Sequence, residues 1–218
     1  MLEVVPLLAG VRPLGPSLLP SAAKLLAEGF FDNPAHVYIC PDPLTRAAQL
    51  EWLLGANLRL QPDLEMSFCL SEGDRVDAMG FWTRSTAPKP GLLRQLRAGL
   101  LAAPFRIGWS TFQRAFEVAR ANERHVHRAL GAQPFWYLNN MVIRKQLRGG
   151  GVGSRLLREQ LGVVSAREPG WAIALSTQRP ENVVFYHRLG FRTVLEESIG
   201  SGPRAFRNWI MVFQEARA

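Results

Sequence analysis

The stretch Phe135-Trp136-Tyr137-Leu138-Asn139-Asn140-Met141-Val142-Ile143, leading into Arg148-Gly149-Gly150-Gly151-Val152-Gly153-Ser154, decides how this chain is read. The first part is rich in aromatic and β-branched residues and reads as a strand. After the glycines, Leu156, Leu157, Leu161 and Val164 recur at helical spacing, so Ser154–Val164 reads as an amphipathic helix. A strand–loop–helix passage of this kind offers backbone N–H groups and a helix N-terminus to a phosphate. Glycines suit it because a Cβ would block close approach and forbid some of the backbone angles. The same loop is also compatible with a plain flexible turn.

Two better-known phosphate loops are spelled differently. A nucleotide P-loop ends in Gly-Lys-Ser/Thr, and here no lysine separates Gly153 from Ser154. The dinucleotide fingerprint wants a third Gly or Ala where Ser154 stands, and an acid after a second strand. Glu168 comes before the next apolar strand instead. What remains is Arg148-x-x-Gly151-x-Gly153 directly after a strand.

Outward from this centre, Trp171–Ser176 reads as a short strand and Asn182–Leu189 as a short helix ended by Gly190. Phe191–Leu195 and Asn208–Phe213 read as the last strands, joined by a turn at Gly200-Ser201-Gly202-Pro203. Upstream, residues 20–31 read as a helix capped by Ser21 and stopped at Asp32-Asn33-Pro34. A second helix spans about Leu44–Leu58. Met66–Leu70 and Val76–Trp82 form a hairpin pattern around Ser71-Glu72-Gly73-Asp74-Arg75. Residues 88–130 stand apart as a helical insertion. Leu92, Leu93, Leu96, Leu100 and Leu101 are interleaved with Arg94 and Arg97, Pro104 is expected to break the helix, and Trp109, Phe112 and Phe116 mark one face of a second helix. Packing on the sheet is favoured for it over a membrane-surface role, whose basic amphipathic signature is similar.

Composition bounds the rest. The chain has 218 residues with a formal charge of +8 and an ordinary globular balance. One mixed α/β domain over residues 1–218 accounts for the pattern without repeats or linkers. Cys40 and Cys69 lie in no ligand spacing, so neither a disulfide framework nor a metal site is expected. No apolar run reaches membrane-span length, and Met1–Ala9 lacks signal-peptide features, which makes cytoplasmic location the expectation. Residues 1–83 carry five basic and ten acidic side chains, and residues 84–128 nine and two. The arginine-rich balance suits an anionic ligand, whereas no nucleic-acid recognition motif is present.

Arg148-x-x-Gly151-x-Gly153 after a strand resembles the acyl-CoA pyrophosphate loop of the GNAT superfamily of N-acyltransferases. The second half of that family's pattern follows: Ile173-Ala174-Leu175-Ser176-Thr177, then Asn182, then Phe185-Tyr186-His187-Arg188-Leu189-Gly190-Phe191. Trp136-Tyr137-Leu138, the long helical stretch before it, and a Gly-Pro turn followed by Trp209-Ile210-Met211 are similar to the puromycin N-acetyltransferase-like group. The resemblance runs from about residue 20 to 213. It implies a single α/β (α+β) domain: a mixed, mostly antiparallel sheet with two splayed strands, flanked by helices.

The resemblance also implies roles. Met141, Val142 and Ile143 would meet the pantetheine and thioester, and Arg148, Gly149, Gly150, Gly151, Val152, Gly153 and Ser154 the pyrophosphate. Asn182 would bond the cofactor or simply cap its helix. Tyr186 would be the general acid toward the CoA thiolate, or otherwise a packed helix residue. The donor would be acyl-CoA, with acetyl-CoA as default and no metal. The acceptor would be an amine on a small molecule or peptide, mildly favoured to be cationic because residues 1–83 are acidic overall. The sequence leaves oligomeric state open.

The general base is the gap. Asn139 and Asn140 on the central strand and Ser176 and Thr177 on the next are not bases, and read instead as orienting an acceptor or a water. His36, His125, His127 or a water chain stay open as the base. Three alternatives follow: longer-chain acyl transfer with Leu92–Phe116 walling the extra space, a non-catalytic acyl-CoA-binding domain, and a nucleic-acid or membrane-surface binder.

Overall fold

A computed structural model describes residues 10–61 and 66–213. Met1–Ala9, the segment read above for signal-peptide features, lie outside the described residues. Seven strands form one sheet in the order β1-β2-β3-β4-β5-β7-β6: β1 Val11–Pro13, β2 Phe68–Glu72, β3 Arg75–Arg84, β4 Phe135–Ile143, β5 Ala172–Thr177, β6 Arg192–Ile199 and β7 Phe206–Phe213. Every neighbouring pair is antiparallel except β4 and β5. The expected mixed, mostly antiparallel α/β sheet is therefore present.

The one parallel pair positions the site. β4 and β5 stay together only from Phe135/Ala172 to Leu138/Leu175, then part. Beyond Leu138, β4 pairs only with β3, so one edge of its backbone from Asn139 to Ile143 has no strand partner. Asn139 is also skipped in the β3 register: Phe81 faces Asn140 while Trp82 faces Leu138. This bulge inverts the alternation along β4. Phe135 and Tyr137 before it, and Val142 after it, pack on one face; Trp136, Leu138 and Met141 pack on the other.

Helices cover both faces. α1 (Leu19–Phe30) and α3 (Pro43–Leu60) pack Leu25, Leu26, Leu50 and Leu58 onto Met79 and Phe81. On the other face, Leu157 and Leu161 of α7 (Val152–Arg167) and Tyr186 of α8 (Pro180–His187) join Trp82, Trp136, Leu175 and Met211. α2 (Pro34–Ile39), absent from the sequence reading, follows directly on α1. α1 ends at Phe30, and Asn33 caps the second helix, its side chain accepting the Ala35 N–H at 3.0 Å. β1, too short to leave a pattern, was likewise not expected.

Three local expectations are corrected. Ser21 caps nothing: α1 begins at Leu19, and the Ser21 hydroxyl accepts the Val76 N–H at 2.9 Å. Pro104 does not break the insertion's first helix. α4 (Leu92–Arg97) ends before Gly99, whose φ of +83° no helix accommodates, and Pro104 instead occupies the first turn of α5 (Ala103–Ile107). Trp109 and Phe116 of α6 (Trp109–Leu130) face solvent. The side of α6 toward the sheet carries Ala115, Val118, Ala121 and Val126, because small residues let a helix lie close to its support.

Candidate active site

Two cavities flank the point where β4 and β5 part. The first, about 580 Å³, is lined by Gly29, Met141–Ile143, the glycine loop, Asn182, Phe185 and Tyr186. Of the residues read from sequence as cofactor-binding, all except Gly150 line it, together with Tyr186. Gly149 and Gly151 have φ of +85° and +74°, the left-handed region open to glycine. Gly151 is the N-cap of α7 and no side chain caps that helix, so its first-turn N–H groups are left for an anion. The Arg148 guanidinium is tied to the loop by a 2.9 Å bond from Nε to the Ile143 carbonyl.

Two contributors here had no sequence signal. Gly29 of α1 lies so close to β4 that a Cβ would sit 2.3 Å from Val142 Cγ2. Arg144, just before the loop, donates from Nε to Asp77 at 2.6 Å and lies 3.7 Å from Glu28. Burial works against the Asp77 carboxylate, but hydrogen bonds from Arg75 and Arg144 hold its pKa below the usual range. That ion-pair cluster anchors the strand end from which the loop departs.

The second cavity, about 600 Å³, lies on the other side of the parting and is walled by α2, α3, α6, β4 and β5. Asn139 and Asn140 line it, with His36, His127 and Glu123 as its titratable groups beside Tyr137 and Tyr186. Glu123 is the one carboxylate among its described lining residues, and it sits 3.6 Å from Lys89. His36 stacks on Phe30 at 4.9 Å, with Nδ1 3.2 Å from Asn33 Oδ1. Since that oxygen only accepts, Nδ1 carries the proton, and burial pulls the His36 pKa down to about 4. His125 is not among the lining residues. It is buried behind the cavity, Nε2 3.1 Å from Glu197 and Nδ1 3.2 Å from the Asn208 amide.

A buried amide chain braces this cavity. Asn33 donates to Gln178 at 3.2 Å, Gln178 to Asn208 at 2.8 Å, Asn208 to Asn122 at 3.3 Å, and Asn122 to the Tyr137 hydroxyl at 2.9 Å. That hydroxyl lies 2.8 Å from Ser176 Oγ. Four elements, α6, β4, β5 and β7, and two connecting residues, Asn33 and Gln178, supply these groups, which is why no contiguous motif announces them.

Phe30, Asn33, Met141, Asn182 and Tyr186 belong to both cavities. Tyr186 is nearly fully buried, and burial, reinforced by nearby Tyr137, pushes its pKa far above the ordinary phenol value. Asn182 donates to Thr177 Oγ1 at 3.2 Å, on the strand that leaves β4. Two chambers, one with an anion-ready loop, thus meet beside a protonated phenol.

Residues 113–193 match the family model described as the acetyltransferase (GNAT) domain, a segment holding β4, the loop, β5 and α8. The chain has the GNAT fold. Its architecture is similar to a structure of histone acetyltransferase HPA2 and related acetyltransferase from Corynebacterium glutamicum, at 22% identity, TM-score 0.63, covering 95% of this chain and 97% of that one. It also resembles the Drosophila melanogaster polyamine N-acetyltransferase that forms N-acetylagmatine (14%, TM-score 0.60, 94% and 99%). A third similar structure is the C-terminal condensation domain of Ebony in complex with β-alanyl-dopamine (13%, TM-score 0.66, 93% and 96%).

Among the described residues, no His/Cys/Asp/Glu group could hold a metal, and no helix is long and apolar enough to cross a membrane. One expectation about the cavities is corrected: Leu92–Phe116 does not wall them. Of that stretch only Ala115 lines either cavity; Leu92, Leu93, Leu101, Phe105 and Trp109 are exposed instead.

Proposed function

We propose that this protein is an acyl-CoA-dependent N-acyltransferase that passes an acyl group, acetyl by default, to an amine in a ternary complex. The observation that carries this reading is the meeting of the two cavities at Asn33, Met141, Asn182 and Tyr186. A pyrophosphate on the uncapped N-terminus of α7 sends the pantetheine along Met141–Ile143. The unpaired β4 edge there suits its amide groups. The thioester then lies at the junction, and the amine approaches from the Asn139–Asn140 side.

The amine nitrogen bonds to the thioester carbon while backbone N–H groups of the open β4 edge receive the charge on oxygen. On collapse the C–S bond breaks and Tyr186 gives its proton to the departing sulfur. A raised pKa keeps that phenol protonated throughout the neutral range. The amine must shed a proton, and of the three histidines considered, His36 and His127 border the acceptor cavity whereas His125 is committed to Glu197 and Asn208. His36 Nε2, with no proton of its own, can accept a hydrogen bond from the incoming amine. The amine's proton leaves through it or through water in the acceptor cavity to solvent, and solvent returns a proton to Tyr186 after the thiol departs. Cytoplasmic location and a free choice of small-molecule or peptide amine accompany this reading.

CoA-thiol release across acyl chains of increasing length, with pooled amines, tests it. Amine-dependent release peaking at the short chains is expected, and Tyr186→Phe should lower kcat about a hundredfold, the low end for lost acid catalysis since a thiolate leaves fairly well unaided. CoA binding with no release from any amine pool would favour the non-catalytic binding domain.

A further inference from the structure

Seven large apolar residues between Leu92 and Phe116 are exposed, and they are concentrated in consecutive elements that touch one another: α4, the turn Leu100–Ala102, α5 and the start of α6. Phe105 is 91% exposed, Leu92 69%, Leu101 66% and Trp109 60%. Large clustered exposure of this kind marks an interaction site rather than ordinary surface. Charge patterning accompanies it. From Ser85 to Phe116 the chain carries five basic side chains and no acidic one. Beside α4, Arg59, Arg94 and Arg97 line one open cleft together with Leu93. Arg59 Nη2 is held at 3.3 Å by the Ala98 carbonyl, which fixes one wall of that cleft.

We propose that this face docks on an anionic phospholipid bilayer, with the arginine cleft receiving headgroup phosphates and Leu92, Leu93, Leu101, Phe105 and Trp109 entering the acyl boundary. Leucine and aromatic tips interleaved with arginines, without acids, is the composition that binds such an interface. Other partners fit less well. Two copies meeting through this stretch would set its arginines against one another, with no acid between Ser85 and Phe116 to pair them. A nucleic acid would use the arginines but leave the aliphatic tips in water. The inference is independent of the acyl-transfer chemistry, whose two cavities are lined by none of these exposed side chains.

Co-sedimentation of the full chain with vesicles of phosphatidylcholine, with and without phosphatidylserine, tests it. Binding to the phosphatidylserine vesicles alone is expected, weakening as NaCl is raised. Arg97→Gln and Arg106→Gln should each weaken it roughly fivefold. Leu101→Ser with Phe105→Ser should abolish it while amine-independent properties such as the melting curve stay unchanged. Val194→Ser, an exposed apolar residue elsewhere on the molecule, should leave it intact. Failure to pellet with either vesicle, or equal pelleting with both, overturns the proposal. So does concentration-dependent self-association that Phe105→Ser removes without any vesicle binding, which would assign the face to a second copy.

Discussion

The two cavities are nearly equal in volume yet built from different material. Ten of the eighteen residues lining the loop cavity fall between Met141 and Ser154, where one strand edge, three glycines and an uncapped helix start present backbone groups within one short run of sequence. The acceptor cavity is made of side chains from α2, α3, α6, β4 and β5, braced by amides that meet only in the fold. A backbone-built chamber holds a constant ligand and tolerates few changes of conformation. A side-chain-built chamber is open to retuning. The contrast predicts that substitutions will separate the two sides cleanly, and that acid will reach one before the other.

Acid gives the largest effect. The His36 pKa falls from the ordinary 6.5 to about 4 on folding, because burial disfavours the imidazolium. Below pH 6.5 the unfolded chain takes up a proton that the folded chain refuses. Stability is therefore retained above pH 6.5 and lost as pH falls toward 4, by about 3 kcal/mol in full. Urea unfolding of the parent and of His36→Asn, at pH 7 and at pH 4.5, reads this directly. The variant should lose distinctly less stability between the two pH values. Equal losses would mean that this side of the molecule is no more acid-sensitive than the loop side.

The same contrast explains what could be read before the structure was known. β4, the loop, α7 and α8 were legible because their chemistry is local: periodicity, glycines and a following helix lie within a short run. The residues of the acceptor side were not. Asn122 and Asn208 are far apart in sequence and carry no signal that they share a hydrogen bond. Gly29 reads as a poor helix residue until Val142 is placed against it. The outward turn of Trp109 and Phe116 was hidden for a different reason: periodicity finds an apolar face without saying whether anything covers it. Glu123 has no sequence signal because the fold delivers it to the cavity from α6, away from the central strand.

A loop substitution sharpens the separation at intermediate size. Gly151 sits at φ +74°, where a β-branched residue is strained by roughly 1–2 kcal/mol. Gly151→Val should raise KM for acyl-CoA about tenfold and leave KM for the amine unchanged. Isothermal titration with CoA alone gives the same information without turnover. An equal change in both KM values would show that the chambers are not energetically distinct.

The smallest expected effect lies with Glu123. Its side chain is about half exposed and shares its charge with Lys89, so solvent and salt screen it. It is nonetheless the carboxylate bordering the acceptor cavity, toward which an ammonium would be drawn. Glu123→Gln should raise KM for a cationic amine roughly threefold at low salt, and the difference should vanish at high salt, because only a long-range field is removed. KM for acyl-CoA should not move. A loss of kcat instead, persisting in salt, would give Glu123 a direct part in taking the amine's proton. The side-chain-built chamber would then supply a carboxylate base in place of the one that Asn139 and Asn140 cannot be.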